Sequence, residues 1–127
     1  MRLAVALAAL LSAMPAFAVE MMTPKQVSAE VEAGRAVLID IRTPPEWAET
    51  GVAQSAKPID MTSAAFVTDL KTAIAENPGK KLAFICRSGN RSGQLTAQLE
   101  AAGLTDIIDV AGGTNAWITE GLPVAKP

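Results

Sequence analysis

Short apolar runs alternate with longer segments in which apolar residues recur every three or four positions. After residue 18, the longest runs, rich in aliphatic side chains, are residues 36–41, 82–85 and 107–110. Continuous runs of this kind are typical of strands buried on both faces of a parallel sheet. Residues 20–22 and 58–60 are shorter strand candidates, whereas residues 52–57 and 122–124 are expected to be irregular. The alternation predicts an α/β domain with a largely parallel sheet.

Helix signals occupy the segments between these runs. Thr23 is placed as an N-cap, Pro24 as the first helical residue and Gln26 as the residue that closes a capping box. Gly34 is expected to end this helix. Residues 45–49 predict one or two further turns.

Three later helices are predicted in the same way. Thr62 or Ser63 is the expected cap of the first, whose apolar face is formed by Phe66, Val67, Leu70 and Ile74. The second begins at Ser92. The third spans about residues 115–120, and Trp117 on it is expected to point inward.

Residues 1–18 have the three parts of a secretory signal peptide: a positive start at Arg2, an apolar stretch over residues 3–13, and a small-x-small cleavage site that ends at Ala18. The apolar stretch is short for a bilayer span. We therefore expect cleavage after Ala18 and export, most simply to the periplasm. Residues 19–127 then form a single domain without a membrane contact.

Composition narrows the chemistry further. The chain has no His and one Cys, which excludes Ser-His and Cys-His catalysis, a His or thiolate metal cage, and an internal disulfide. We therefore expect no metal and no other cofactor. Without residues 1–18 the chain has ten Lys and Arg against thirteen Asp and Glu, a net charge near −3. That balance argues against nucleic acid or an acidic membrane as a partner.

The one cysteine, Cys86, ends an apolar run and begins a small polar loop with the sequence CRSGNR, before the helix expected at Ser92. A strand, a tight loop and a helix N-terminus point backbone N–H groups and a positive dipole end at one place. A thiol at that place is acidified and nucleophilic, and Gly89 supplies the freedom for the turn. The alternative is a buried, inert thiol, which would not need two arginines and a glycine beside it.

Three segments, in this order, resemble those of single-domain rhodaneses, a family of sulfurtransferases. They are residues 37–47 (VLIDIRTPPEW), residues 86–92 (CRSGNRS), and residues 112–117 (GGTNAW) with residues 121–124 (GLPV). The resemblance covers essentially all of residues 19–127. It implies an α/β, rhodanese-like fold with a five-stranded, mostly parallel sheet and helices on both faces. One departure is residues 51–56 (GVAQSA), which lack the His that the family commonly has there.

The resemblance implies that Cys86 is the catalytic residue of a thiosulfate sulfurtransferase. Cys86 would take a sulfane sulfur from a small sulfur-containing anion such as thiosulfate and hold it as a persulfide. It would then pass the sulfur to cyanide or to a thiol, including a protein thiol. Backbone N–H groups of the loop would hold the anion. The expected substrate-binding residues are Arg87, Ser88, Gly89, Asn90, Arg91 and Ser92.

Several of these side chains have two interpretations. The resemblance places Arg87 beside the substrate and makes Arg91 a loop organiser or a second anion contact. Ser92 is either a donor to the persulfide or an N-cap, and we favour the cap. Asp40 and Arg42 follow a different strand. They either border the same cleft or form an ion pair that ties the following turn to the sheet, which we favour.

Three other functions compete with this one. A phosphatase or arsenate reductase has a Cys-x5-Arg loop around a tetrahedral anion, whereas the spacing here is Cys86-x4-Arg91, with Ser92 where the Arg would be. A binding module does not need the cysteine together with the glycine and both arginines. A persulfide carrier that acts with a partner protein is not distinguished from an enzyme by the sequence.

Overall fold

The computed structural model describes residues 18–127; the predicted signal peptide lies, up to residue 17, outside the described residues. The main sheet is formed by β1 (Val19–Met22), β2 (Ala36–Asp40), β4 (Lys57–Pro58), β5 (Lys81–Ile85) and β6 (Ile107–Val110). A second, two-stranded sheet is formed by β3 (Val52–Ala53) and β7 (Val124–Ala125). The helices of the described residues are α1 (Pro24–Glu32), α2 (Pro44–Thr50), α3 (Phe66–Glu76), α4 (Asn90–Ala101) and α5 (Gly113–Thr119).

All neighbouring strands of the five-stranded sheet are parallel, in the order β1-β6-β5-β2-β4. The predicted α/β fold is therefore confirmed. Because the strands are parallel, their carboxyl ends lie along one edge of the sheet, where such folds place their ligands. Within residues 18–127, no helix has the length and apolar character needed to cross a bilayer.

Alternate strand residues pack against helices on opposite faces of the sheet. Ile39 and its neighbours on one face contact Leu95 of α4 and the buried side of α3. Leu38 and its neighbours on the other face pack with Val27 of α1 and Trp117 of α5. Trp117 is buried, as predicted. This burial on both faces explains why β2, β5 and β6 are nearly continuous apolar runs.

The capping box at the start of α1 is confirmed. The Thr23 hydroxyl oxygen accepts a hydrogen bond from the backbone N–H of Gln26 at 3.2 Å, and the Gln26 side-chain oxygen accepts from the backbone N–H of Thr23 at 2.9 Å. The two bonds satisfy backbone donors that have no partner inside the helix.

The predicted start of α3 is wrong. The N-cap is Ala65, not Thr62 or Ser63. Asp60 explains the shift, because its carboxylate accepts hydrogen bonds from the backbone N–H and hydroxyl of Thr62, at 2.8 and 2.7 Å, and holds those residues in a turn. The Ser63 hydroxyl oxygen accepts from the Ala65 N–H, still outside the helix.

The apolar face of α3 is rotated from the predicted one. Val67 is 61% exposed and Ile74 is 38% exposed, whereas Leu70 and Ala73 are buried. The helix meets the sheet along the line of Leu70 and Ala73, so the small side chain of Ala73 takes a core position that the larger Ile74 was expected to fill.

The C-terminal segment is more ordered than predicted. Val124 pairs with Ala53, and Ala125 pairs with Val52, in an antiparallel ladder. Two stretches that were expected to be irregular are therefore paired with each other. Neither pattern indicates this alone, because each strand has only two residues and its partner is about seventy positions away.

A buried ion pair closes the end of β2. The Arg42 guanidinium donates to both carboxylate oxygens of Asp40 at 2.8 to 3.1 Å, and also to the hydroxyl of Thr50 and the carbonyl of Gly51. The Trp47 indole N–H donates to the same carboxylate at 3.1 Å. This is the ion pair favoured by the sequence, and it ties α2 to the sheet.

We predict that Arg42→Ala lowers the free energy of unfolding by about 3–5 kcal/mol, because it leaves the Asp40 carboxylate buried without its cation. Urea unfolding measures the effect. Arg35→Ala is the matched control, since Arg35 also pairs with a carboxylate, that of Glu30, but on the exposed surface. The control should be nearly neutral. Equal losses in the two variants would contradict the importance that we give to burial.

Candidate active site

Cys86 directly follows β5, and its sulfur is enclosed by the loop that leads into α4. The side chain is 1% exposed. The sulfur accepts hydrogen bonds from the backbone N–H of Gly89, at an N···S distance of 3.1 Å, and from that of Ser92, at 3.4 Å. Gly89 is the N-cap of α4 with φ of +107°, a conformation that favours glycine. The loop is thus a small ring of N–H donors around one sulfur atom.

The N-terminus of α5 holds this loop in its orientation. The Cys86 carbonyl accepts hydrogen bonds from the backbone N–H and the hydroxyl of Thr114, at 2.8 and 3.0 Å. The Arg87 carbonyl accepts from the backbone N–H of Asn115 at 3.0 Å. Because α5 takes up the carbonyl groups, the N–H groups of the loop are free to face the sulfur.

The environment of Cys86 favours the thiolate. Burial alone would raise the pKa of the thiol, and it is the largest single influence. The hydrogen-bond contact with the Ser92 side chain and the hydrogen bonds from the N–H groups of Ser92, Gly89 and Ser88 outweigh burial, so the pKa lies below its usual value. This lowered pKa agrees with the acidification expected from the sequence; the Ser92 side chain is the largest lowering influence, and the N–H groups of the loop come next.

Ser92 does not cap the helix, which corrects the sequence interpretation. The helix begins two residues earlier, at Asn90, so Ser92 lies inside the first turn. Its buried hydroxyl oxygen lies 3.4 Å from the Cys86 sulfur and donates to a carboxylate oxygen of Asp109 at 2.7 Å. Ser92 therefore contacts the reactive atom directly.

Asp109 is a site residue that the sequence analysis missed. It lies on β6 and is 4% exposed. Burial raises the pKa of its carboxyl group, an effect that the hydrogen bond from Ser92 offsets in part. The signal in the sequence was one charged residue inside an otherwise apolar strand, which has a functional role when it is buried near a reactive group.

Arg91 is paired with Glu46 of α2. Its two terminal nitrogens donate to the two carboxylate oxygens at 2.8 and 2.7 Å. The hydrogen bond from Arg91 is the main reason that the pKa of Glu46 falls to about 2. This two-bond contact fixes the start of α4 against α2.

Arg87 is exposed and borders a small pocket next to the loop. Within residues 18–127 its side chain forms none of the observed ion pairs. The other residues that line this pocket are Arg42, Glu46, Glu49, Thr50 and Asn115.

The remaining predicted residues do not present side chains to the sulfur. Ser88 and Asn90 are exposed, and the Asn90 side chain accepts a hydrogen bond from Gln94. Ser88 acts on the thiol through its backbone N–H. Asp40 and Arg42 bind each other beyond the neighbouring strand. Among the described residues, no group of three or more His, Cys, Asp or Glu side chains is arranged to hold a metal ion.

Fold and site together define a class of protein: a three-layer α/β domain with one thiol enclosed by backbone N–H donors at the carboxyl edge of a parallel sheet. A family model described as Rhodanese-like domain matches residues 23–120. The chain belongs to this family of sulfurtransferases.

Two relatives and a solved structure show how far the likeness extends. A protein of Allochromatium vinosum named Sulfurtransferase is 34% identical over 92 residues, which cover 72% of this chain and 79% of that protein. An uncharacterized protein of Synechocystis is 28% identical over 106 residues, 83% of this chain but only 55% of that protein. The rhodanese-related protein of Thermoplasma volcanium is 28% identical, with a TM-score of 0.65 over 85% of this chain and 99% of that one.

We predict that Gly113→Ala slows alkylation of Cys86 by iodoacetamide at least about tenfold at neutral pH, the effect of a one-unit rise in the thiol pKa. A Cβ at Gly113 would lie 2.6 Å from the carbonyl oxygens of Cys86 and Arg87, so the loop would have to move.

Gly121→Ala is the matched control. Gly121 also has a positive φ, +79°, but a Cβ there meets no atom within 4 Å. This variant should lose about 1 kcal/mol of stability through backbone strain and keep its thiol reactivity. Equal alkylation rates in the two variants would contradict the role of α5 in orienting the loop.

Proposed function

We propose that the protein is a sulfurtransferase that carries a sulfane sulfur on Cys86 as a persulfide. A small anion of the thiosulfate type is the donor, and a thiol or cyanide is the acceptor. The observation that carries this proposal is the ring of N–H donors around a buried sulfur. The ring is suited to a sulfur anion, and it needs neither histidine nor metal.

The reaction consists of two displacements. The Cys86 thiolate attacks the outer sulfur of thiosulfate, the sulfur–sulfur bond of the donor breaks, and sulfite leaves with the bonding electron pair. Cys86 then carries the outer sulfur as an anionic persulfide. A thiolate or cyanide attacks that outer sulfur and regenerates the Cys86 thiolate, with a persulfide or thiocyanate as product. Covalent catalysis of this form predicts ping-pong kinetics.

The burial of Cys86 supports sulfur over phosphate as the group transferred. The loop leaves 1% of the residue exposed, so there is little room around the sulfur for a bulky group. A phosphate monoester presents a tetrahedral group with several oxygens, whereas thiosulfate presents one sulfur. The relative named Sulfurtransferase agrees with this choice.

Arg87 is the proposed contact for the sulfonate end of the donor. Arg91 already makes two charge-assisted hydrogen bonds to Glu46, whereas Arg87 is exposed at the edge of the loop. A guanidinium group suits an oxyanion because it donates two parallel hydrogen bonds. Arg87 therefore binds the donor, and Arg91 organises the loop.

Export from the cytoplasm is the proposed setting for this chemistry. It rests on the signal-peptide pattern of residues 1–18. Outside the cytoplasm, thiosulfate and the thiols of exported proteins are suitable reaction partners.

We predict that incubation with thiosulfate adds the mass of one sulfur atom to the protein at Cys86, because the persulfide is the covalent intermediate. Intact-protein mass spectrometry followed by peptide mapping locates the addition. Cys86→Ser is the control and should gain nothing. Absence of the adduct, or cyanide turnover that survives in Cys86→Ser, would rule out the proposed function. An adduct without turnover to cyanide would instead identify a carrier that needs a protein partner.

We predict that Arg87→Ala raises KM for thiosulfate about tenfold or more, the effect of losing one charge-assisted hydrogen-bonded contact. Steady-state kinetics with cyanide as acceptor measures it. Arg87→Lys keeps the charge but not the paired donors, so it should recover only part of the affinity. An unchanged KM in Arg87→Ala would show that the sulfonate binds elsewhere.

A further inference from the structure

Asp109 is a buried carboxylate with little to stabilise its charge. Its side chain is 4% exposed and, among the described residues, forms none of the ion pairs observed. The one side-chain hydrogen bond it receives there comes from the Ser92 hydroxyl at 2.7 Å. A buried carboxylate without a cation is costly. Asp109 is therefore a group that gains from taking up a proton.

The Ser92 hydroxyl connects this carboxylate to the reactive sulfur. The same oxygen lies 2.7 Å from Asp109 and 3.4 Å from the Cys86 sulfur. A hydroxyl has one hydrogen to donate and lone pairs to accept with. When it donates to Asp109, the thiol S–H can donate to it, which forms the chain S–H···O–H···O.

We propose that Asp109 receives the proton of the Cys86 thiol through the hydroxyl of Ser92, so that Cys86 and Asp109 share one titratable proton. The S–H proton moves to the Ser92 oxygen as the hydroxyl proton of Ser92 moves to Asp109. The products are a thiolate and a neutral carboxylic acid, and the hydroxyl then donates to the sulfur. This step deepens the proposed sulfur transfer, on which it rests, by naming the source of the thiolate.

The strands on either side of Asp109 place no charge opposite it. In register with Asp109 are Phe84 of β5 and Met21 of β1, both uncharged. Glu20 of β1 forms an ion pair with Lys81.

The helix packed on this part of the sheet, α4, also places no unpaired charge of its first turn against Asp109. Gly93 of α4 lies over its second carboxylate oxygen, since a Cβ there would be 3.6 Å from that oxygen. Arg91 of α4 is paired with Glu46, and Glu100 is near the far end of the helix. Cys86 is therefore the titratable group joined to Asp109 by hydrogen bonds.

The surroundings of both groups lower the free-energy cost of the transfer. Burial raises the pKa of Asp109, whereas the Ser92 side chain and the N–H groups of the loop lower that of Cys86. The two shifts narrow the difference between the pKa values of the thiol and the carboxyl group, which is about four to five units for the isolated groups. The transfer moves one negative charge from the buried Asp109 carboxylate, which the Ser92 hydroxyl contacts, to a sulfur that receives hydrogen bonds from the N–H groups of Gly89 and Ser92. Asp109 does not touch the sulfur; it is a positioning residue that acts through Ser92.

The pH profile of Cys86 alkylation by iodoacetamide tests the proposal. For a thiol that titrates alone, the fraction present as thiolate falls about tenfold for each pH unit below its pKa. Two groups that share one proton titrate in two coupled steps. We therefore expect the alkylation rate of the wild-type protein to fall as the pH drops through the main titration step of Cys86, and then to level off to a plateau at lower pH.

The two variants that break the chain should lose this plateau. Asp109→Asn keeps a side-chain oxygen for the Ser92 hydroxyl but cannot take the proton, so its rate should fall about tenfold per pH unit. Its main step should also lie at lower pH than in the wild type, since the repelling carboxylate is gone. Ser92→Ala should lose the plateau with Asp109 intact. Thermal unfolding followed by circular dichroism checks that both variants are folded.

A wild-type profile without a plateau, or a plateau that persists in Asp109→Asn, overturns the proposal. The wild-type profile decides the matter even if a variant fails to fold. The experiment uses no sulfur donor, so its failure is distinct from failure to form the Cys86 adduct with thiosulfate.

Discussion

The site depends on the hydrogen bonds from α5 to the carbonyl groups of Cys86 and Arg87. A loop that carries a buried sulfur anion has to present its N–H groups inward, and its carbonyls then need donors elsewhere. Thr114 and Asn115 supply them. Gly113 is required because any side chain there would collide with the same carbonyls. The GGTN segment thus acts on the sulfur through the backbone, although no side chain of it is among the donors to the sulfur.

The same constraint explains how the charged side chains are distributed. A cation close to the sulfur would stabilise the thiolate further, but a strongly stabilised thiolate is a weaker nucleophile. Two of the three arginines near the site are instead neutralised by carboxylates: Arg42 by Asp40 and Arg91 by Glu46. These pairs fix the ends of β2 and α4. Arg87, which is exposed at the edge of the loop, is in none of the ion pairs observed among residues 18–127.

Most of the fold could be predicted from local patterns in the sequence. Buried strands were predictable because β2, β5 and β6 are apolar on both faces, and the capping box of Thr23 and Gln26 was predictable because both partners lie within one turn. The N-cap of α3 was not predictable. The Asp60 carboxylate accepts hydrogen bonds from the backbone N–H and hydroxyl of Thr62, and a capping pattern does not reveal these bonds. The pairing of β3 with β7 joins the middle of the chain to its C-terminal segment, and only the complete fold brings these two segments together.

The site divides in the same way. The position and acidity of Cys86 follow from a strand, a loop and a helix that are contiguous in sequence. The partners of Ser92 and Arg91 could not be predicted in this way, because they are distant in sequence. Asp109 is 17 positions from Ser92, and Glu46 is 45 positions from Arg91.

A carboxylate in the middle of a buried strand costs free energy, and a neutral side chain of similar size would avoid the cost. Asp109 lies beside the Ser92 hydroxyl, which contacts the sulfur. Because burial makes the ionised form of this carboxyl unfavourable, Asp109 is suited to accept the thiol proton in a chain without histidine.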